Sequence, residues 1–125
     1  METRQLGKNG PNVPVICLGA WPLGGGMGDI PDDQAIPTIH ASIEAGVNFI
    51  DTAEGYRTSE SVLGKALKGR RDDVVITSKV FSPIGNGPND RGASRFHIMR
   101  EVERSLARLD TDHIDVYLFH GVSDM

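Results

Sequence analysis

NFIDTAEGYRTSE, residues 48–60, breaks an apolar run on Asp51 and sets Tyr56 five positions further on, directly behind a glycine. A short apolar run that stops on a carboxylate reads as a buried strand, residues 47–51, with a polar last side chain. Upstream, residues 32–45 carry Ile36, Ile39 and Ile43 at spacings of three and four, the stripe of an amphipathic helix. Gly46 is placed to close that helix in the left-handed conformation. Further upstream, VPVICLG (13–19) reads as a strand, and residues 3–6 and 12–15 can pair as a hairpin across GKNGP. Downstream, Ser59 is placed to cap a helix carrying Val62, Leu63, Ala66 and Leu67, which Gly69 ends. VVITSK (74–79) is β-branched and strand-like. Ser94 caps a helix with the apolar stripe Met99, Val102, Leu106 and Leu109, and IDVYLF (114–119) is the last strand. Pro37 conflicts with its helix: either Asp33 caps it and the first turn frays or kinks, or the helix begins near Pro37.

Strands that alternate with helices pair in parallel through crossover connections. The expected class is therefore α/β, one domain over residues 1–125, with enough chain for a hydrophobic core. A net charge of −4 and no basic run weigh against nucleic acid or an anionic membrane surface as partner. No apolar run approaches the roughly 20 residues of a membrane span. METRQLGKNG at the start lacks the apolar region of a secretory signal. A single cysteine, Cys17, excludes a disulfide framework within the chain and points to a reduced, cytoplasmic setting. A lone strand cysteine reads as a small buried hydrophobe rather than a catalytic thiol.

In parallel α/β folds the chemistry sits at the carboxyl ends of the strands. Asp51, Lys79 and His120 fall at three successive strand ends, and neighbouring strands lie about 4.8 Å apart, so the three converge if their pleat directions agree. Tyr56 leaves the same rim, and Gly55 lets its loop turn back. Alone, each has an ordinary reading: a turn carboxylate, a packed loop aromatic, a paired rim lysine, a satisfied rim histidine. Together they suit proton donation. A free phenol holds its proton too tightly to release it at neutral pH. A lysine cation beside it favours the phenolate, and Asp51 would keep that lysine charged and in place. His120 could hydrogen-bond a carbonyl oxygen. A carbonyl polarised in this way invites hydride attack, and a chain without a hydride of its own implies a nicotinamide cofactor. Other patterns carry less. LGGGMG (23–28) lacks the order of a phosphate-binding loop and reads as a mobile loop. His40, His97 and His113 show no metal-ligand spacing. Glu54 reads as a solvated loop charge rather than half of a hydrolytic carboxylate pair with Asp51.

These motifs resemble the aldo-keto reductases: NFIDTAEGY with SESVLGKAL, VVITSKV, GPNDRGASRFHIMREVERSLARLDTDHIDVYLFH and the N-terminal RQLGKNGPNVPVICLGAW. The resemblance implies the N-terminal half of a (β/α)8 TIM barrel behind a β-hairpin, and NADPH-dependent reduction of aldehydes and ketones. It implies Tyr56 as general acid, Lys79 as the residue that eases its proton release, Asp51 as the partner of Lys79, and His120 as the group that orients the carbonyl. Gly19, Ala20 and Trp21, with Asp51, match the cofactor-lining segment, and Trp21 and His120 also face the substrate. Arg57 departs from the small residue usual after the tyrosine, and GVSD departs from the aromatic usual after the histidine. A barrel of this kind needs about 250 residues. By the resemblance, then, the later strands and most of the cofactor site lie outside these 125. Open sheet edges would favour self-association or a complementing chain. The alternatives are a non-catalytic interaction or regulatory module on the same fold, and an inactive fragment.

Overall fold

The computed structural model describes residues 1–122. Strands β1 (Thr3–Gln5) and β2 (Asn12–Pro14) form the expected antiparallel hairpin, in the register Thr3↔Pro14. After it the chain departs from the expected single strand over 13–19. Pro14 has no N–H to extend a ladder, and the backbone bends over Val15 and Ile16, which are exposed. Pairing resumes only at β3 (Leu18–Gly19). Cys17 falls in the gap and is exposed, not the buried hydrophobe expected of it. Partial desolvation and then Asp51 push its thiol up, against the Lys79 cation, which disfavours the reactive thiolate.

Strands β4 (Phe49–Asp51), β5 (Val75–Val80) and β6 (Val116–Phe119) complete a four-stranded parallel sheet in the order β3-β4-β5-β6. Helices α1 (Asp32–Glu44), α2 (Ser59–Ala66) and α3 (Arg95–Leu109) make the three crossovers. Their inner faces and the sheet enclose one core, centred on the fully buried Ala35, Ile39, Ile50, Leu63 and Ile76. The opposite sheet face is an open cleft lined by Phe49, Asp51, Thr77, Val116 and Leu118.

Pro37 neither kinks off nor starts α1. It lies inside a continuous helix capped by Pro31 rather than Asp33. The donor it lacks would have met the Asp33 carbonyl, and both residues are exposed, so water can take that place. The other end closes as expected: Gly46 at φ +85° donates to Ile43 O, and Val47 N–H to Ser42 O, both at 2.9 Å.

Two helix expectations fail for one reason, the burial of polar pairs. Ser59 does not cap α2; Thr58 holds the N-cap position, with its hydroxyl on Gly24 O instead of a helix N–H. Ser59 is buried, with its hydroxyl on Ala20 O (3.0 Å) and Thr52 Oγ1 (2.8 Å). Ser94 caps α3 as expected, accepting from His97 N at 3.1 Å. The face α3 buries, however, is His97, Glu101, Ser105 and Leu109, while Met99 is 49% exposed and Val102 and Leu106 are half-buried. Of the expected stripe only Leu109 is fully buried, and His97 faces the buried Glu54 carboxylate at 3.6 Å.

Where α2 crosses the end of α3, only a glycine fits. A Cβ on Gly64 would stand 2.6 Å from the Arg108 carbonyl oxygen and 2.9 Å from the Leu109 carbonyl carbon. Backbone cannot yield as a side chain can, so Gly64→Ala should destabilise the chain by about 1–3 kcal/mol, less the helix-propensity gain of about 1 kcal/mol. Chemical denaturation of both forms measures this; an unchanged midpoint would contradict the close crossing.

Candidate active site

The pleat brings the predicted residues together. Asp51 shares its face with Phe49, Lys79 with Thr77, and His120 with Leu118, on three adjacent strands. Offset backbone bonds extend the rim past the strand ends: Ala20 N–H to Asp51 O (2.8 Å), Glu54 N–H to Lys79 O (3.2 Å) and His120 N–H to Val80 O (2.8 Å).

Lys79 is the hub. Its ammonium, on a side chain only 12% exposed, donates to Asp51 Oδ2 at 2.7 Å, Thr52 O at 3.0 Å and Tyr56 Oη at 3.1 Å. All three donor positions are thus used, which fixes the charge beneath the phenol. The ammonium also lies 4.5 Å from the Tyr56 ring centroid. Tyr56 Oη is 3.5 Å from His120 Nε2 on its other side. Trp21 packs edge-on against the Tyr56 ring at 5.0 Å, and His120 does so at 5.3 Å.

The cofactor-lining segment divides. Gly19 lies at the rim opposite Asp51, and a Cβ there would meet nothing within 4 Å. Trp21 is 38% exposed. Ala20 is fully buried in the core between them, with both backbone groups used, N–H on Asp51 O and carbonyl on Ser59 Oγ.

In the glycine-rich segment 23–28, Leu23 and Gly24 are buried, while Met27 is 78% exposed and a Cβ on Gly28 would meet nothing within 4 Å. Thr58 Oγ1 donates to Gly24 O at 3.3 Å, and Arg57 Nη1 to Gly25 O at 3.1 Å. A side chain on Gly24 would strike the Tyr56 carbonyl oxygen, and one on Gly26 the Trp21 indole. Arg57 therefore ties the Trp21 loop to the Tyr56 loop, and it holds φ +51° to do so.

Glu54 is the residue that sequence reasoning missed. It is not a solvated loop charge: its side chain is 0% exposed, 3.6 Å from the equally buried His97. Burial pushes its carboxyl up, and the Phe81 amide and His97 oppose that. The signal was present at its helical partner, since His97 stands on the same α3 line as Glu101 and Ser105.

The His120 imidazole is pushed below its ordinary range, first by burial and then by the Lys79 cation, with Asp51 opposing. The neutral ring is thereby favoured. NMR titration of the four histidines should place its midpoint below the free value of about 6.5. Lys79→Met should restore only part of the difference, because burial is the larger cause. The folded state binds this proton less tightly than the unfolded chain does. The stability His120 contributes is therefore complete above about pH 6.5 and lost as pH falls through the depressed folded value. A midpoint at or above the free value would contradict the geometry.

A family model described as the Aldo/keto reductase family matches residues 15–124. Among curated relatives, "Probable voltage-gated potassium channel subunit beta" of Oryza sativa subsp. japonica is 40% identical, over 96% of this chain and 37% of its own length. The "Aldo-keto reductase YhdN" of Bacillus subtilis is also 40% identical, over 96% of this chain and 38% of its own. Among solved structures, a holo-form aldo-keto reductase from Bacillus halodurans (AKR11C1) superposes with a TM-score of 0.86 at 35% identity, over 98% of this chain and 41% of that one. The chain thus spans less than half the length of these relatives, and its parallel sheet is half of their (β/α)8 barrel. The rim that gathers Asp51, Tyr56, Lys79 and His120 belongs to this half, and with it the chain belongs to the aldo/keto reductase family.

Proposed function

We propose that this chain carries the proton-transfer half of a carbonyl reductase, with NADPH as the hydride donor and aldehydes or ketones as substrates. The observation that carries the reading is one ammonium held between a carboxylate and a phenol, with an imidazole on the far side of the same hydroxyl. A carbonyl oxygen seated beside Tyr56 Oη takes a hydrogen bond from the phenol, and a second from His120 when Nε2 bears the proton. When bound, the nicotinamide supplies a hydride to the carbonyl carbon. As negative charge develops on that oxygen, Tyr56 Oη is placed to give it the proton that would complete an alcohol. The phenolate left behind is met by Lys79, which is already in place and needs no reorganisation. Gly19, Trp21 and Asp51 fit as one flank of the cofactor site, because the open position at Gly19 leaves room at the rim. Ala20 would serve through its position in the strand rather than its side chain.

The cytoplasm is the proposed setting. The exposed inner sheet face and the outer edges of β3 and β6, unpaired among the described residues, support self-association or a complementing chain. No helix among the described residues is long and apolar enough to cross a membrane. A second reading, a non-catalytic regulatory module, is favoured by the relative named as a channel subunit. The complete tetrad favours catalysis. The test is NADPH oxidation with small aldehydes and ketones by the protein in the form the cell makes. Turnover that needs Tyr56 supports the reductase, and no turnover with any carbonyl overturns it.

A further inference from the structure

One residue with a buried carboxylate, Glu54, ties the loop of Tyr56 to the strand end that carries Lys79. Glu54 lies two positions before Tyr56. Its N–H donates to the Lys79 carbonyl at 3.2 Å, and its Oε1 accepts the Phe81 N–H at 2.7 Å. The loop of Tyr56 is thereby stitched twice to the end of β5, on either side of Val80. Just past the second stitch the chains approach closely: a Cβ on Gly55 would stand 2.6 Å from Ser82 Oγ.

The Phe81 end of the stitch is strained. Phe81 holds φ +146°, a conformation nearly confined to glycine, and its carbonyl accepts the Gly92 N–H at 2.9 Å. Its ring packs on Gly121, where a Cβ would stand 2.7 Å from Cδ1, and Gly121 follows His120. A backbone so held needs a partner that over-determines it, and the Glu54 carboxylate is that partner. The other oxygen, Oε2, is buried with no hydrogen-bond partner among the described residues. Leaving a polar atom unpaired beneath the rim is costly, and it persists where the first oxygen's bond matters.

We propose that Glu54 is a positioning residue: its carboxylate, through the Phe81 amide, holds Tyr56 at hydrogen-bonding distance from Lys79 and braces the segment that carries His120. The inference rests on the catalytic reading of Tyr56 and Lys79, but its test needs no turnover, so either can fail alone.

The chain has two tyrosines, Tyr56 and the buried-hydroxyl Tyr117. Labelling the 125-residue chain with ¹³C at tyrosine Cζ gives two NMR signals, assigned with Tyr56→Phe. Lys79→Met marks where the Tyr56 signal lies once the lysine contact is gone. Glu54→Asp keeps the charge but draws the carboxylate back from Phe81 by about 1.5 Å, one C–C bond. It should move the Tyr56 signal more than half of the way to the Lys79→Met position. Glu54→Gln keeps an acceptor at the same place and should leave the signal near wild type. A Tyr56 signal unmoved in a folded Glu54→Asp chain, or moved equally by Gln and Asp, would overturn the proposal. If Glu54→Asp does not fold, hydrogen exchange in the unaltered chain decides. A Phe81 amide as protected as the interior of β5 supports the stitch, and one exchanging at the rate of a free peptide refutes it.

Discussion

Tyr56→Phe should lower NADPH-dependent carbonyl reduction by roughly 10²- to 10⁴-fold, the scale of a lost general acid, and should leave the fold in place. The ring stays, so the edge contacts to Trp21 and His120 at 5.0 and 5.3 Å persist. Only the hydroxyl goes, and Lys79 keeps Asp51 and Thr52 O as partners at 2.7 and 3.0 Å. No buried charge is orphaned, so the melting temperature should barely move. The loss should fall on kcat more than KM, because the phenol acts where charge develops on oxygen. Steady-state kinetics in the form the cell makes, beside a thermal melt, separates the outcomes. Full turnover without the hydroxyl would remove Tyr56 as the acid and favour the regulatory reading.

Arg108→Ala should destabilise the chain by about 3 kcal/mol, the low end for breaking a buried ion pair. Glu60 is 1% exposed, and its two oxygens meet Arg108 Nε at 2.7 Å and Ser78 Oγ at 2.6 Å. Arg108, 31% exposed, reaches in from α3 and also donates to Ser105 Oγ at 3.2 Å. Without it the carboxylate stays buried between α2, α3 and β5 with one hydroxyl for company. The loss is the cost of that stranded charge rather than the worth of the pair. The double variant Glu60→Gln/Arg108→Leu should therefore be more stable than Arg108→Ala alone, because the Gln carbonyl oxygen still accepts from Ser78. Denaturant unfolding of the wild type, the single variant and the double variant measures this. Equal destabilisation in the single and double variants would show that packing, not charge, dominates.

The order of elements and the four rim residues were legible in the sequence, because both follow from local rules. Alternating strand and helix patterns dictate a parallel sheet, and strand ends dictate where polar residues emerge. Gly46, Ser94 and the hairpin turn act within a few residues of themselves, and the structure places them as read. Most of the misreadings concern groups whose partners are far along the chain; Cys17 and Pro37 are the local exceptions. Ser59 looked like a cap because its Ala20 partner is invisible from its neighbours. Cys17 looked buried because the bend after Pro14 does not show in hydropathy. The apolar line of α3 looked like its core face, yet the helix turns His97, Glu101 and Ser105 inward to meet groups on other elements. Glu54 looked solvated for the same reason. Periodicity and capping chemistry determined the sheet and which four polar side chains emerge at its rim; only the tertiary structure decided which charges are buried together. Desolvation and pairing are properties of contacts between distant residues, and no local pattern carries them.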